Sequence, residues 1–265
     1  MPRFIALFLF LCLTSLPAGA QDAPLLSLQS AQDGRGWDGV GRLDIEGKGF
    51  CTASLIREDI VLTAAHCVFE PAGLIAADRF TFNAGLRQGR AEAYRQVRRV
   101  VVHPDYRFRS GDITTEVALD LALLQLDRPI RTTRIKPFAV SIATRTGEDV
   151  GVVSYAHGRE TAPSLQDMCS VLAQEGNILI MSCQVTYGAS GSPVFRLSGP
   201  QPQMVSIVSA MSDLNNQPVS LGTAFATALP DLLDILDAAA LGLPNGITPG
   251  QRNETGAKFI RPGGG

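Results

Sequence analysis

The sequence predicts an all-β protein. Short β-rich runs recur between turns in two series, and segments with helical period are scarce. Hydrophobic residues make up 45% of the 265 and charged residues 18%, enough for a packed core and too apolar for a disordered chain. Gly 26 and Pro 16 are near average usage, which excludes collagen-like and low-complexity classes. The length fits one large domain or two small ones.

The elements follow in chain order. Residues 1–20 read as a secretory signal: Arg3 is the positive start, residues 4–16 are a short apolar stretch, and Ala18-Gly19-Ala20 is a small-residue cleavage site. The apolar stretch is shorter than the ~20 residues of a membrane span, and Pro17 ends it. Cleavage after Ala20 leaves 245 residues, exported to a periplasmic or extracellular space, with 22 basic and 25 acidic side chains. Residues 21–36 read as a flexible segment.

The first strand series covers 40–45, 50–56, 60–63, 80–84, 94–102 and 121–126. The second covers 149–154, 168–173, 178–184, 193–196, 203–210 and 222–226. Between them, 127–137 carries two prolines and four basic residues and reads as a linker. This divides a domain over 37–241 into halves of about 37–127 and 138–229. A helix is expected over 230–241, with Pro230 in its first turn and Leu232, Leu233 and Leu236 on one face. Residues 242–265 are Pro/Gly-rich and read as a flexible tail.

After loss of Cys12 four cysteines remain, which allow three pairings in an exported chain. Runs 50–56 and 60–63 flank the turn Arg57-Glu58-Asp59, which brings Cys51 beside Cys67. Runs 169–172 and 178–183 flank Glu175-Gly176-Asn177, which brings Cys169 beside Cys183. No Cys-x-x-Cys spacing occurs, so no metal site is expected. A net charge of -2, pI ≈ 5.9 and 6% aromatics argue against nucleic acid as a partner.

Three local signals carry chemistry: Leu62-Thr63-Ala64-Ala65-His66-Cys67, the strand Asp120-Leu121-Ala122-Leu123-Leu124-Gln125-Leu126, and Tyr187-Gly188-Ala189-Ser190-Gly191-Ser192-Pro193-Val194. Together they resemble the chymotrypsin-like (trypsin-like) serine proteases, more closely the bacterial exported branch. The resemblance spans about 39–239. It implies two packed six-stranded antiparallel β-barrels with a C-terminal helix, and a serine endopeptidase that forms an acyl-enzyme. In that reading His66 is the general base, Asp120 its orienting carboxylate and Ser190 the nucleophile. A serine hydroxyl needs such a base, and an imidazole with a reference pKa near 6.5 takes and returns the proton at neutral pH. The order His, Asp, Ser differs from that of α/β-hydrolases. The backbone N–H groups of Gly188 and Ser190 would form the oxyanion hole.

Alternatives exist for each role. Asp112 sits in a loop signal and Asp127 opens the linker, so Asp120 is preferred. Ser190, with a glycine two positions before it and another directly after, is preferred to Ser192. His103 reads as a surface residue, and His157 has no acidic partner at a telling spacing. The resemblance also places Gln184 at the base of the specificity pocket, Ser209 near the triad carboxylate and Met211 at the pocket wall. Ala189 replaces the aspartate that pairs with a freed amine in digestive members, so no activating cut before Val40 is expected. Uncharged Gln184, with Val208 where glutamate-specific members carry histidine, implies a small or medium apolar residue before the cleaved bond. The chain is read as a monomer acting on protein or peptide, without cofactor. The competing reading is an inactive homologue that binds proteins through the same cleft.

Overall fold

The computed structural model describes residues 25–240. The signal segment over 1–20 and the tail over 242–265 lie outside the described residues. No described helix is long and apolar enough to cross a membrane.

The first barrel is built from β1 (Val40–Ile45), β2 (Gly49–Arg57), β3 (Ile60–Thr63), β4 (Phe80–Ala84), β5 (Ala93–Val102) and β6 (Ala122–Leu126). They close in the order β1-β2-β3-β6-β5-β4, each pair antiparallel. The second barrel comprises β7 (Asp149–Ser154), β8 (Ser164–Glu175), β9 (Ile178–Met181), β10 (Pro193–Arg196), β11 (Gln203–Leu214) and β12 (Gln217–Ala224). Pairing of β8 with β9 closes it in the equivalent order β7-β8-β9-β12-β11-β10. A barrel with no free edge suits these short strands, because every ladder group finds a partner.

Buried strand residues build the core. In β1, Val40, Leu43 and Ile45 are buried, and Phe80 and Phe82 of β4 join them. This cluster continues through Tyr155, Phe195, Met204, Ile207 and Phe225 of the second half. A smaller cluster around Val150, Val171, Leu179, Val194 and Val205 fills the second barrel. The linker is anchored by buried Ile130 and Ile135.

Four expectations need correction. The loose segment expected over 21–36 is ordered in its described part: Leu26 and Ser27 pair with Leu165 and Ser164. Arg87 explains this, since its buried guanidinium donates to Leu28 O (2.8 Å) and to Asp38 (2.6 Å), and Arg134 reaches Asp38 from the linker. The second correction is α1 (Ile113–Ala118), which was not expected; Asp112 caps it by accepting from Thr114 N and Thr115 N. Third, β11 and β12 run on into a hairpin whose tip, Asn215-Asn216, has φ of 52° and 61°, the left-handed pair of a tight two-residue turn.

Last, α2 spans Ala228–Ala240, so Pro230 lies at its third position, where its missing N–H has no intrahelical partner to lose. Leu232 and Leu236 are buried, and the helix packs back on β5 and β6. His103 is correspondingly half-buried, with Nε2 3.6 Å from Asp231, rather than a free surface group.

Candidate active site

His66 lies in a short 3-10 turn, Ala65–Val68, directly after β3. The Cys51–Cys67 disulfide ties that turn to β2, so it braces a turn rather than a strand. Asp120 precedes β6 and is 2% exposed. Its carboxylate accepts twice from His66, from the backbone N–H at 2.8 Å and from Nδ1 at 2.7 Å. An acceptor-only carboxylate fixes the proton on Nδ1 and leaves the Nε2 lone pair available.

A third donor reaches the carboxylate. The ladder between β11 and β12 shifts register between Val208 and Ala210, and Ser209 Oγ donates to Asp120 at 2.5 Å. A bulge turns a side chain off its alternating face, which is what this contact across the barrels requires.

Burial pushes the His66 pKa down, but the Asp120 charge and hydrogen bond outweigh it and hold it above the ordinary 6.5; Lys48 opposes them and Glu116 adds to them. Burial and the Asp120 charge together raise the Tyr106 phenol, which stays protonated beside the carboxylate.

Ser190 sits in the connection from β9 to β10. Thr52 N of β2 donates to its carbonyl at 2.9 Å, and Gly191 N donates to Val208 O at 2.8 Å. Gly191 shows how tightly the barrels meet: with φ of 75°, a Cβ there would stand 2.1 Å from Thr63 Oγ1 and 2.4 Å from Thr52 O. Among the described residues the imidazole's hydrogen-bond partner is Asp120, not the Ser190 hydroxyl; catalytic bonds of that kind commonly tighten only around substrate. Gly188 has φ of 91°, and a Cβ there would lie 2.7 Å from the Phe50 ring. Ser192 is fully buried and Ser190 half-buried, so only Ser190 is open to a substrate.

Cys51, His66 and Cys67 bring ligand-type atoms within 4.8 Å of one another. Both sulfurs belong to the disulfide, so this grouping offers a metal only one nitrogen. Cys169 is bonded to Cys183.

The trypsin family profile matches residues 29–234. The chain belongs to this family of serine proteases. It is 35% identical over 126 residues to mast cell protease 3 of sheep (Ovis aries), covering 47% of this chain and 46% of that protein. It is 27% identical over 158 residues to the suppressor of tumorigenicity 14 protein homolog of cattle (Bos taurus), covering 55% and 17%. The chain thus spans less than half the length of these two curated relatives. A solved structure of a Glu endopeptidase superposes with a TM-score of 0.63 at 18% identity, over 76% of this chain and 91% of that one. Curated relatives of the chain include proteins of cattle, sheep, human, mouse and fruit fly, and these give the bacterial branch expected from the sequence no support.

Beside the family's serine loop lies a cavity of about 170 Å³, lined among others by Gln184, Val185, Thr186, Met211, Pro218 and Val219. None of its lining residues is ionisable. Gln184 N donates to the buried Gln166 Oε1 at 2.9 Å, which ties this lining residue to β8. Met211 is 47% exposed at the rim. Sequence reasoning missed Gln166, Tyr106, Thr52 and Lys48. The two flanking glycines of Lys48, Gly47 and Gly49, were the only readable signal, since they mark a tight turn.

Proposed function

We propose that this trypsin-family chain is an exported serine endopeptidase that cleaves peptide bonds through an acyl-enzyme. The observation that carries the reading is the doubly hydrogen-bonded His66–Asp120 pair, one bond of which orients the ring. Ser190 Oγ attacks the scissile carbonyl carbon while its proton passes to His66 Nε2. Asp120 steadies the imidazolium through Nδ1–H. The carbonyl oxygen takes the negative charge and is met by the N–H groups of Gly188 and Ser190. His66 then returns the proton to the leaving amine, the C–N bond breaks, and the acyl group stays on Ser190. Water repeats the sequence on the ester and regenerates the serine.

The uncharged pocket supports a small or medium apolar residue before the cleaved bond. A glutamate preference like that named for the structural neighbour would need a cation there, and the lining holds none. Two disulfides fit an oxidising, extracytoplasmic site. The test is covalent labelling with a fluorophosphonate, with the modified residue mapped by mass spectrometry. Labelling at Ser190 that vanishes in Ser190→Ala is expected. Wild-type protein that resists the label while folded would overturn the enzyme reading and favour a binding module.

A further inference from the structure

Lys48 sits at the tip of the β1–β2 hairpin, and its ammonium crosses to the turn that carries His66. Nζ donates to three carbonyls there, His66 O at 3.2 Å, Cys67 O at 3.1 Å and Phe69 O at 2.7 Å. An ammonium has three N–H donors, and all three have partners at one place. The carbonyls at the end of a helical turn lack acceptor duty within it, so a cation there completes the turn and opposes its negative end.

The hairpin is built to deliver this group. Gly47 and Gly49 have φ of 74° and 130°, so the backbone on both sides of Lys48 adopts left-handed conformations closed to most side chains. Lys48 N closes the turn on Ile45 O at 3.0 Å, and Arg79 pins the turn between them by donating to Glu46 O at 2.6 Å. Arg79 is itself paired with Glu70.

We propose that Lys48 is a positioning residue for His66: it clamps the turn that presents the imidazole and sets a fixed positive charge beside the base. The inference rests on the role of His66 proposed above. The charged and titratable groups that bear on the imidazole are Asp120 ahead of β6, Glu116 of α1 and Lys48 of the hairpin, with Tyr106 packed by the carboxylate. Glu70 and Arg109 act on Lys48 in turn, and burial, the leading influence, lowers its pKa. Asp120 and Glu116 favour the imidazolium, whereas Lys48 opposes it. Its charge therefore widens the pH range over which the ring is a free base, while its hydrogen bonds hold the ring's backbone in place.

The experiment compares wild type, Lys48→Met, Lys48→Arg and a distant control, Lys136→Met. The His66 imidazole is titrated by NMR, its signal assigned by loss in His66→Ala. In parallel, the second-order rate of fluorophosphonate labelling is measured against pH, normalised to titrated active sites. Lys48→Met should raise the His66 midpoint by about half a pH unit, the order expected for removing one nearby charge. It should also slow labelling about tenfold at pH 7.

Lys48→Arg should keep the midpoint and lose part of the rate, because a planar fork cannot aim three N–H groups at three converging carbonyls. Lys136→Met should match wild type in both. A Lys48→Met midpoint equal to wild type, or a labelling rate within twofold of it, would overturn the inference. Failure of the enzyme reading looks different: the label is then absent from wild type, and the NMR midpoint still decides whether Lys48 sets the ring's protonation.

Discussion

In the first barrel the connection from β3 to β4 carries His66, and in the second the equivalent connection from β9 to β10 carries Ser190. Each barrel also ties its second strand to the start of that connection, by Cys51–Cys67 in one and Cys169–Cys183 in the other. The two differ in the chain beyond the bond. His66 adjoins its disulfide cysteine directly, inside a turn further held by Lys48 and Asp120. Ser190 lies well beyond Cys183, and the intervening Gln184, Val185 and Thr186 form the wall of a cavity. On the proposed reading, one copy of the design immobilises the base. The other borders an open cavity, with the β11–β12 hairpin beside it.

The comparison breaks most visibly at the carboxylate. Asp120→Asn retains shape but offers an amide where Nδ1–H needs an acceptor, so the ring is held in the wrong tautomer. A loss of about 10⁴-fold in kcat is expected, with KM little changed. Steady-state kinetics on a peptide substrate check this; a loss below tenfold would mean that Asp120 does not orient the base.

The same contacts set the pH dependence. The His66 pKa is raised, so the neutral ring, and with it activity, should appear only as pH climbs through a midpoint above 6.5. Stability runs the other way. A group whose folded pKa is raised stabilises the fold fully below its unfolded pKa and loses that contribution as pH rises through the folded value. Activity with a midpoint below 6 would contradict the electrostatics of the pair.

Much of this was legible in the sequence, and the gaps have physical causes. Strands 40–45, 60–63, 80–84, 149–154 and 193–196 match because each is a compact apolar or β-branched run bounded by turn residues. The triad candidates were readable because each sits in a compact local motif. Helix α1 was missed because six residues carry too little period, although Asp112 ahead of two threonines is a cap signal. The extension of β11 and β12 was missed because Ser212, Asp213, Gln217 and Pro218 interrupt the apolar pattern; Asn215-Asn216 was the available clue. Lys48, Thr52 and Gln166 act through contacts between segments far apart in the chain, which no local pattern encodes.

The two disulfides sharpen the contrast between barrels. Their sequence separations are 16 and 14, so the chain-entropy model assigns each about 3 kcal/mol. Replacing either pair by serines should lower stability by similar amounts in denaturant titrations. The kinetics should diverge: loss of Cys51–Cys67 should reduce kcat by loosening the His66 turn, and loss of Cys169–Cys183 should raise KM and blur side-chain preference. Equal kinetic profiles for the two variants would remove the distinction between a braced base and a braced pocket.

The smallest expected effect probes the seam where the halves meet. Thr52 Oγ1 accepts from Tyr155 N at 3.1 Å and lies 3.2 Å from Gly188 O and 3.3 Å from Tyr155 O; Thr63 Oγ1 donates to Thr52 O at 2.8 Å. One buried hydroxyl of the first barrel thus serves two backbone segments of the second. Thr52→Val keeps the volume and leaves Tyr155 N without its acceptor, at a cost of about 1–3 kcal/mol. Because Gly188 O loses its neighbour as well, kcat should fall severalfold while the His66 midpoint stays put. A shift in that midpoint would mean that the seam transmits strain into the first barrel, and the base is then less insulated than its disulfide and Lys48 imply.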